Sequence, residues 1–313
     1  VTQKQGSDTH TGTTAIIIPC YNEEITIAKV IDDFRKHLPE ASLYVFDNNS
    51  TDRTAEIARS LGAVVVKEKR QGKGYVVQSM FHKVDADVYV MVDGDDTYDV
   101  SSVNAMLDMV LRDEADMIVA NRLSTFSKKS FRPFHTLGNN LVRFLINKLF
   151  KSNLKDIMSG YRIMNRPFVK NINITSTGFE VETEMSIKAL KYGFVIKEMD
   201  APYGERPPGS RSKLNTIKDG VLVLKTIFII FKEYKPLLFF TSVSGILFLI
   251  ALLSGSVVIT EFIETRFIAH VPLAIFASGT MVLSIISFVT GVILDSVNRR
   301  FDELYYLMRY RRD

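Results

Sequence analysis

Val88-Tyr89-Val90-Met91-Val92-Asp93-Gly94-Asp95-Asp96 reads as a strongly apolar strand over 88–92 that stops on two carboxylates separated by a glycine. An unbroken apolar run rich in valine suits a strand covered on both faces. Ligands of open α/β sheets gather outside the carboxyl ends of such strands. Carboxylates at Asp93 and Asp95 could approach one hard cation, while Gly94 admits a phosphate close to the backbone. Mg²⁺ or Mn²⁺ fits that pattern, since such cations take only one or two protein carboxylates and fill their shell from substrate phosphates. An EF-hand is excluded: Tyr98 stands where its turn glycine belongs and Asn104 where its bidentate glutamate belongs. Alone, the same acids would also make an ordinary solvated turn.

The surroundings supply the context. Further strands are expected at 15–18, 43–46, 64–66 and 117–120, with helical patterns near 24–37, 54–61, 75–84 and 103–112. Apolar strands alternating with helices predict an α/β fold with a mostly parallel sheet. The 313 residues leave room for a second unit. One cysteine, Cys20, excludes a disulfide framework and any multi-cysteine zinc site. A net charge of +4 is too weak to call for a nucleic-acid partner. Residues 1–12 are polar, lack periodicity and read as a flexible leader.

Residues 237–259 and 271–294, 23 and 24 positions long, carry no charge. Each would span roughly 35 Å as a helix, enough for a hydrocarbon core of about 30 Å. Lys225, Lys232 and Lys235 precede the first span, and Arg299, Arg300, Arg309, Arg311 and Arg312 follow the second. The connecting loop sets Glu261 and Glu264 against Arg266. The positive-inside rule then puts both flanks on the cytoplasmic side of the inner membrane, and the α/β domain and C-terminus with them. Two segments mix apolar and basic residues as interfacial helices do: 138–151 and 214–235. The expected partition is therefore a domain over 13–213, an interfacial helix over 214–235, a transmembrane hairpin over 236–295 and a basic tail over 296–313.

Other strand ends carry polar clusters. Pro19-Cys20-Tyr21-Asn22-Glu23 follows the first strand, Asp47-Asn48-Asn49-Ser50-Thr51-Asp52 the second, and Gly72-Lys73-Gly74 the third. None is a dinucleotide fingerprint or a P-loop. In this order, together with D-G-D, they resemble glycosyltransferase family two, whose fold is the Rossmann-like GT-A type; the resemblance covers roughly 14–240. Ser159-Gly160-Tyr161-Arg162, Gly178-Phe179-Glu180, and Gly204-Glu205-Arg206 followed by Ser210-Arg211-Ser212-Lys213 resemble its polyprenyl-phosphate glycosyltransferase branch.

The resemblance implies a nucleotide-sugar donor, a polyprenyl phosphate acceptor, membrane lipids as surroundings and a homo-oligomer. It implies that Pro19, Tyr21, Asn22, Glu23, Asp47, Asn49, Lys73, Asp93 and Gly94 hold the nucleotide-sugar, and that Asp93 and Asp95 hold the divalent cation. Arg122, Arg132, Arg206, Arg211 and Lys213 would meet donor or acceptor phosphates. Asp95 and Glu180 are the expected catalytic residues, with Glu182 and Glu184 as weaker candidates beside Glu180. Two departures stand out: Asp47-Asn48 replaces the two consecutive acids of many members, and Asp95-Asp96-Thr97 replaces a common Asp-Leu-Gln. Processive polysaccharide synthases of the same family carry a Gln-x-x-Arg-Trp motif, which a chain with no tryptophan lacks. The remaining rival is a catalytically silent nucleotide-binding membrane module.

Overall fold

The computed structural model describes residues 12–124, 133–178, 180–204, 206–209 and 228–310. The chain divides into two compact units, Val1–Gly220 and Val221–Asp313.

In the first unit the described strands are β1 (Thr14–Cys20), β2 (Ser42–Asp47), β3 (Val64–Lys67), β4 (Val88–Met91), β5 (Met117–Asn121), β6 (Arg162–Asn165) and β7 (Ile196–Asp200). They form one sheet in the order β3-β2-β1-β4-β6-β5-β7. Every pairing is parallel except those of β6, which runs antiparallel to β4 and β5. The described helices of this unit are α1 (Ile27–His37), α2 (Thr54–Ser60), α3 (Lys73–Lys83), α4 (Val103–Leu111), α5 (Pro133–Phe150), α6 (Arg166–Asn171) and α7 (Val181–Lys191). All five expected strands are present, and the α/β, mostly parallel sheet is borne out.

Alternation along the strands explains why both faces are covered. Ile16, Ile18 and Cys20 of β1 pack with Ile27, Val30, Ile31 and Phe34 of α1 and with Val103 and Met106 of α4. Ala15 and Ile17 point the other way, into Val76, Val77 and Met80 of α3 and Val181 and Met185 of α7. The α1 residues at 27, 30, 31 and 34 recur at the spacing of one helix face. Each fully buried isoleucine here contributes roughly 1.5–3 kcal/mol relative to an exposed one.

Strands β6 and β7 were not expected from the sequence. Strand β7 reads Ile196-Lys197-Glu198-Met199-Asp200, and as an edge strand its positions are only partly buried. Strand β6 has four residues and opens on an arginine. That arginine, Arg162, is fully buried. Its Nε donates to the Ser159 carbonyl at 2.9 Å, its Nη2 to the Ile157 carbonyl at 2.8 Å and its Nη1 to Ser186 Oγ at 3.0 Å. Because β6 runs against its neighbours, its N-terminal end reaches the edge where β1, β2 and β4 end. Residues 157–161 therefore enter that edge from the opposite direction.

The expected amphipathic segment at 138–151 falls in α5. Val142 and Ile146 are buried while Leu141 and Phe144 are exposed, so the helix is seated on one face and apolar on part of the other.

The second unit holds helices Pro236–Thr265 and Val271–Tyr310, both long and apolar enough to cross a membrane. They form an antiparallel hairpin. Ser284 Oγ donates to the Ser244 carbonyl at 2.9 Å, Ser287 Oγ to the Phe240 carbonyl at 3.1 Å and Asn298 Nδ2 to the Glu233 carbonyl at 2.7 Å. These hydroxyls and the amide thus spend their hydrogen bonds inside the hairpin, which leaves the outward faces apolar. The second helix continues beyond the uncharged stretch to Tyr310, so most of the expected basic tail is helical. Arg311, Arg312 and most of the 214–235 segment lie outside the described residues.

Truncating Arg162 would strand the carbonyls of Ile157 and Ser159 and open the edge of the sheet. Arg162→Ala should destabilise the first unit by about 3 kcal/mol. Thermal unfolding followed by circular dichroism in detergent checks this, with a fall of roughly 6–12 °C expected.

Candidate active site

The D-G-D turn sits at the carboxyl end of β4 and is fastened on several sides. Gly94 packs so closely on β1 that a Cβ there would stand 2.7 Å from Cys20 Sγ. Thr26 Oγ1, just before α1, donates to the Gly94 carbonyl at 2.7 Å. Asp96 adopts a left-handed backbone with φ of 56°, and its carboxylate takes the Lys29 ammonium at 2.5 Å.

Asp95 points inward and is 5% exposed. Its Oδ1 accepts from Thr97 Oγ1 at 2.6 Å, and its Oδ2 meets Arg206 Nη2 at 2.5 Å. Burial, followed by the neighbouring Asp93 charge, raises its pKa above the ordinary carboxylate range, with Arg206 pulling against both. Arg206 reaches this position because the chain after β7 folds back beside the chain after β4. The Gly204 amide donates to the Thr97 carbonyl at 2.8 Å, and Asp99 N donates to the Pro202 carbonyl at 3.2 Å. The other arm of the Arg206 guanidinium, Nη1, lies 3.8 Å from Glu23 Oε1.

Asp93 is paired differently. Its Oδ1 lies 2.5 Å from Lys73 Nζ, which also stands 2.5 Å from Glu182 Oε1. Burial alone would lower the lysine pKa, but the two facing carboxylates outweigh it and hold Lys73 protonated, well above its usual range. Behind Asp93 the backbone of Gly160 closes so tightly that a Cβ there would overlap Asp93 Oδ2. The Gly160 amide is held by Tyr98, to whose hydroxyl it donates at 2.9 Å.

The expected nucleotide residues cluster on the loops after β1 and β2. Pro19 and Phe46 are register partners, as are Cys20 and Asp47. Asn22 has φ of 55°; its Oδ1 accepts from Thr51 N at 2.7 Å, and its own amide donates to Ser50 Oγ at 3.0 Å. Glu23 is buried, with its amide donating to Thr54 Oγ1 at 2.8 Å. Asp47 Oδ1 accepts from Ser50 N at 3.0 Å, and Asn49 Nδ2 donates to the Lys69 carbonyl at 2.9 Å. Tyr21 is 37% exposed at the rim.

Asn48 accounts for one of the sequence departures. Its Nδ2 donates to the carbonyls of Glu68 and Arg70 at 3.1 and 2.7 Å, while its Oδ1 accepts from Gly72 N at 2.8 Å. A carboxylate has no hydrogen to give those carbonyls, so the amide is what locks the stretch leading to Lys73.

The three alternating acids at the start of α7, Glu180 just before it and Glu182 and Glu184 within it, divide by helical geometry. Residues four apart share a face and the one between them is turned away. Glu184 accepts from the Thr175 and Ser176 amides at 2.9 and 2.7 Å, and Glu180 lies on the same side, with its Oε1 3.4 Å from Gly178 N. Glu182 points the opposite way, to Lys73. Glu182, rather than the favoured Glu180, is therefore the acid brought to the D-G-D turn. The helical period contained this signal once the start of α7 was known.

Arg122 is paired with another acid: its Nε donates to Asp156 Oδ2 at 2.8 Å, and its guanidinium lies 5.7 Å from the Tyr203 ring centroid. Arg132, Arg211 and Lys213 lie outside the described residues. Among the described residues no group of three or more Asp, Glu, His or Cys is arranged to hold a metal ion. The turn itself offers two carboxylates, Asp93 and Asp95, which is as many protein carboxylates as a Mg²⁺ or Mn²⁺ ion usually takes.

Over residues 15–172 the sequence matches the family described as Glycosyl transferase family 2. Glycosyltransferase AglJ of Haloferax volcanii is 33% identical over 229 residues, covering 73% of this chain and 75% of that protein. The dolichyl-phosphate hexose transferase of the same organism is 30% identical over 214 residues, covering 68% of this chain and 91% of that protein. A solved structure of glucosyl-3-phosphoglycerate synthase from Mycobacterium tuberculosis, in complex with Mn²⁺ and uridine-diphosphate-glucose, is similar with a TM-score of 0.57 at 21% identity, over 71% of this chain and 79% of that one. This last likeness concerns the fold. The resemblance read from the sequence holds at the level of the family: the chain belongs to glycosyltransferase family 2 and is a hexosyltransferase.

Proposed function

We propose that the protein moves one hexose from a UDP- or GDP-linked donor to a polyprenyl phosphate, undecaprenyl phosphate being the acceptor we assign. The displacement inverts the anomeric centre and yields a lipid-linked sugar for envelope-glycan or protein glycosylation. The observation that carries this reading is the D-G-D carboxylate pair with Arg206 beside it, on a chain that also has two helices fit to cross a membrane.

Asp93 and Asp95 would hold the divalent cation, Mg²⁺ or Mn²⁺. When bound, that cation neutralises the negative charge growing on the departing diphosphate. The loops after β1 and β2, with Pro19, Tyr21, Asn22, Glu23, Asp47 and Asn49, line the nucleotide end of the same edge. Arg206, between Asp95 and Glu23, is positioned to take a phosphate oxygen, with Arg211 and Lys213 following it in sequence.

An oxygen of the acceptor phosphate attacks the anomeric carbon. As that bond forms, the bond to the nucleoside diphosphate breaks and its electron pair leaves with the diphosphate. A phosphate monoester with a second pKa near ~6 is mostly dianionic at neutral pH, so attack requires no protein base. This agrees with a cluster whose carboxylates are matched to cations rather than placed as a base and its orienting partner.

The two long helices would anchor the enzyme in the inner membrane, with the catalytic unit and the C-terminus on the cytoplasmic side as the flanking lysines and arginines favour. On α5, Leu141 and Phe144 are 44% and 57% exposed, and Lys148 lies 5.8 Å from the Phe144 ring centroid. A basic and aromatic helix face of this kind suits contact with lipid headgroups and the acceptor chain.

Membranes holding the full chain should convert radiolabelled nucleotide-sugar and undecaprenyl phosphate into a lipid-extractable monosaccharide product. Polymer, or no transfer with any common UDP- or GDP-sugar, would overturn the reading. Asp95→Ala should lower turnover at least ~100-fold at saturating Mn²⁺ while the protein remains folded and membrane-bound. Leu141→Ser with Phe144→Ser should raise KM for the lipid acceptor by roughly fivefold or more and leave KM for the donor unchanged.

A further inference from the structure

Glu182 takes no part in the transfer as described, yet it is 3% exposed, a burial that a charged group tolerates only when paired. Its partner Lys73 begins α3, and that helix start is firmly seated. Gly74 N donates to the Thr177 carbonyl at 3.2 Å, and Gln78 Nε2 donates to the Ser176 carbonyl at 3.3 Å. A Cβ on Gly74 would overlap the Ser176 carbonyl. The 175–178 stretch is itself tied to α7 through Glu184 and Glu180. Two helices thus present Lys73 and Glu182 to each other, and the ammonium ends on Asp93, whose other oxygen is backed by Gly160.

The arrangement poses an electrostatic problem. A lysine touching a cation-binding carboxylate cancels the charge that the cation needs. As formal charges, Asp93 with Lys73 alone sums to zero, whereas ionised Glu182, Lys73 and Asp93 together sum to −1; burial raises the Glu182 pKa and the Lys73 ammonium pulls against it. The glutamate thus restores what the lysine removes, and the ammonium remains in place to hold Asp93 Oδ1 in one orientation.

We propose that Glu182 is a positioning residue for the transfer: it holds Lys73 as the fixed hydrogen-bond donor to Asp93 and offsets the lysine charge, so that Asp93 stays available to a divalent cation. The inference rests on the cation-assisted reading above. It gives Lys73 a role directed at Asp93 in place of direct contact with the nucleotide.

The test is Mn²⁺ binding by the purified full chain in detergent, followed by electron paramagnetic resonance of free Mn²⁺ beside steady-state kinetics. Glu182→Gln keeps the shape and removes the charge. It should weaken Mn²⁺ binding by roughly tenfold or more, because an uncompensated ammonium then faces a divalent ion at short range. It should raise the Mn²⁺ concentration for half-maximal rate in parallel, with kcat at saturating Mn²⁺ within about threefold of the wild type. The double variant Lys73→Met/Glu182→Gln removes both charges and should bring Mn²⁺ affinity back to within about threefold of the wild type. Glu182→Asp, which retains the charge, should bind Mn²⁺ nearly as the parent does and covers the case in which Glu182→Gln does not fold. An unchanged Mn²⁺ titration for Glu182→Gln, or a double variant no better than the single one, would overturn the proposal. A helix-stapling role alone would lower the melting temperature without moving the titration, and that result also counts against it. A wild-type chain that binds no Mn²⁺ and transfers sugar without it would sink the cation reading itself, a separate and recognisable outcome.

Discussion

Two carboxylates one glycine apart, both turned into a partly buried edge, repel each other unless fixed positive charge offsets them. In this protein that constraint organises the whole carboxyl edge of the sheet. Asp95 is matched by Arg206, delivered on the chain that leaves β7. Asp93 is matched by Lys73, delivered on the start of α3. The two matches differ in kind. Lys73 is shared with a second buried acid on another helix, whereas Arg206 sits on a connection between elements and also faces Glu23. One cation is built into the frame, and the other comes with a segment that leads on to further basic residues.

The central strands were legible because burial on both faces leaves a plain apolar signature, and β1, β2 and β4 carry it without interruption. Strand β6 hid behind Arg162, whose guanidinium is buried against two nearby carbonyls and the Ser186 hydroxyl, which only the fold brings to it. Strand β7 hid because an edge strand is only partly buried and so tolerates Lys197, Glu198 and Asp200. The candidate site was legible in the same uneven way. Asp93, Asp95 and Glu23 announce themselves at strand ends, where ligands of parallel sheets gather. Glu182 does not, since a glutamate in the first turn of a helix is ordinarily a favourable partner for the helix dipole. Its partner stands more than a hundred residues earlier.

Asn48 shows the converse case, a residue type common in binding sites put to structural use. Beside Asp47 it invites reading as a contact to the nucleotide, but its amide spans three backbone groups of the 68–72 stretch. The departure from two consecutive acids is thereby explained by local hydrogen-bond supply, while one Asp47 carboxylate oxygen accepts from the turn at Ser50. Around the edge, side chains that shape loops and side chains that meet ligands are drawn from the same small set of polar residues. Only the fold separates them.

The tight packing of Gly94 on Cys20 and of Gly160 on Asp93 has a consequence for how this enzyme could diversify. Neither glycine leaves room for a side chain, so substitution at these two positions cannot deepen or recharge the wall behind the carboxylate pair. Adaptation to a new sugar or a new acceptor must then fall on the perimeter. There, residues such as Tyr21, 37% exposed, carry side chains that can be exchanged. A lineage built on this scaffold is expected to keep its inner wall nearly invariant while its rim changes freely.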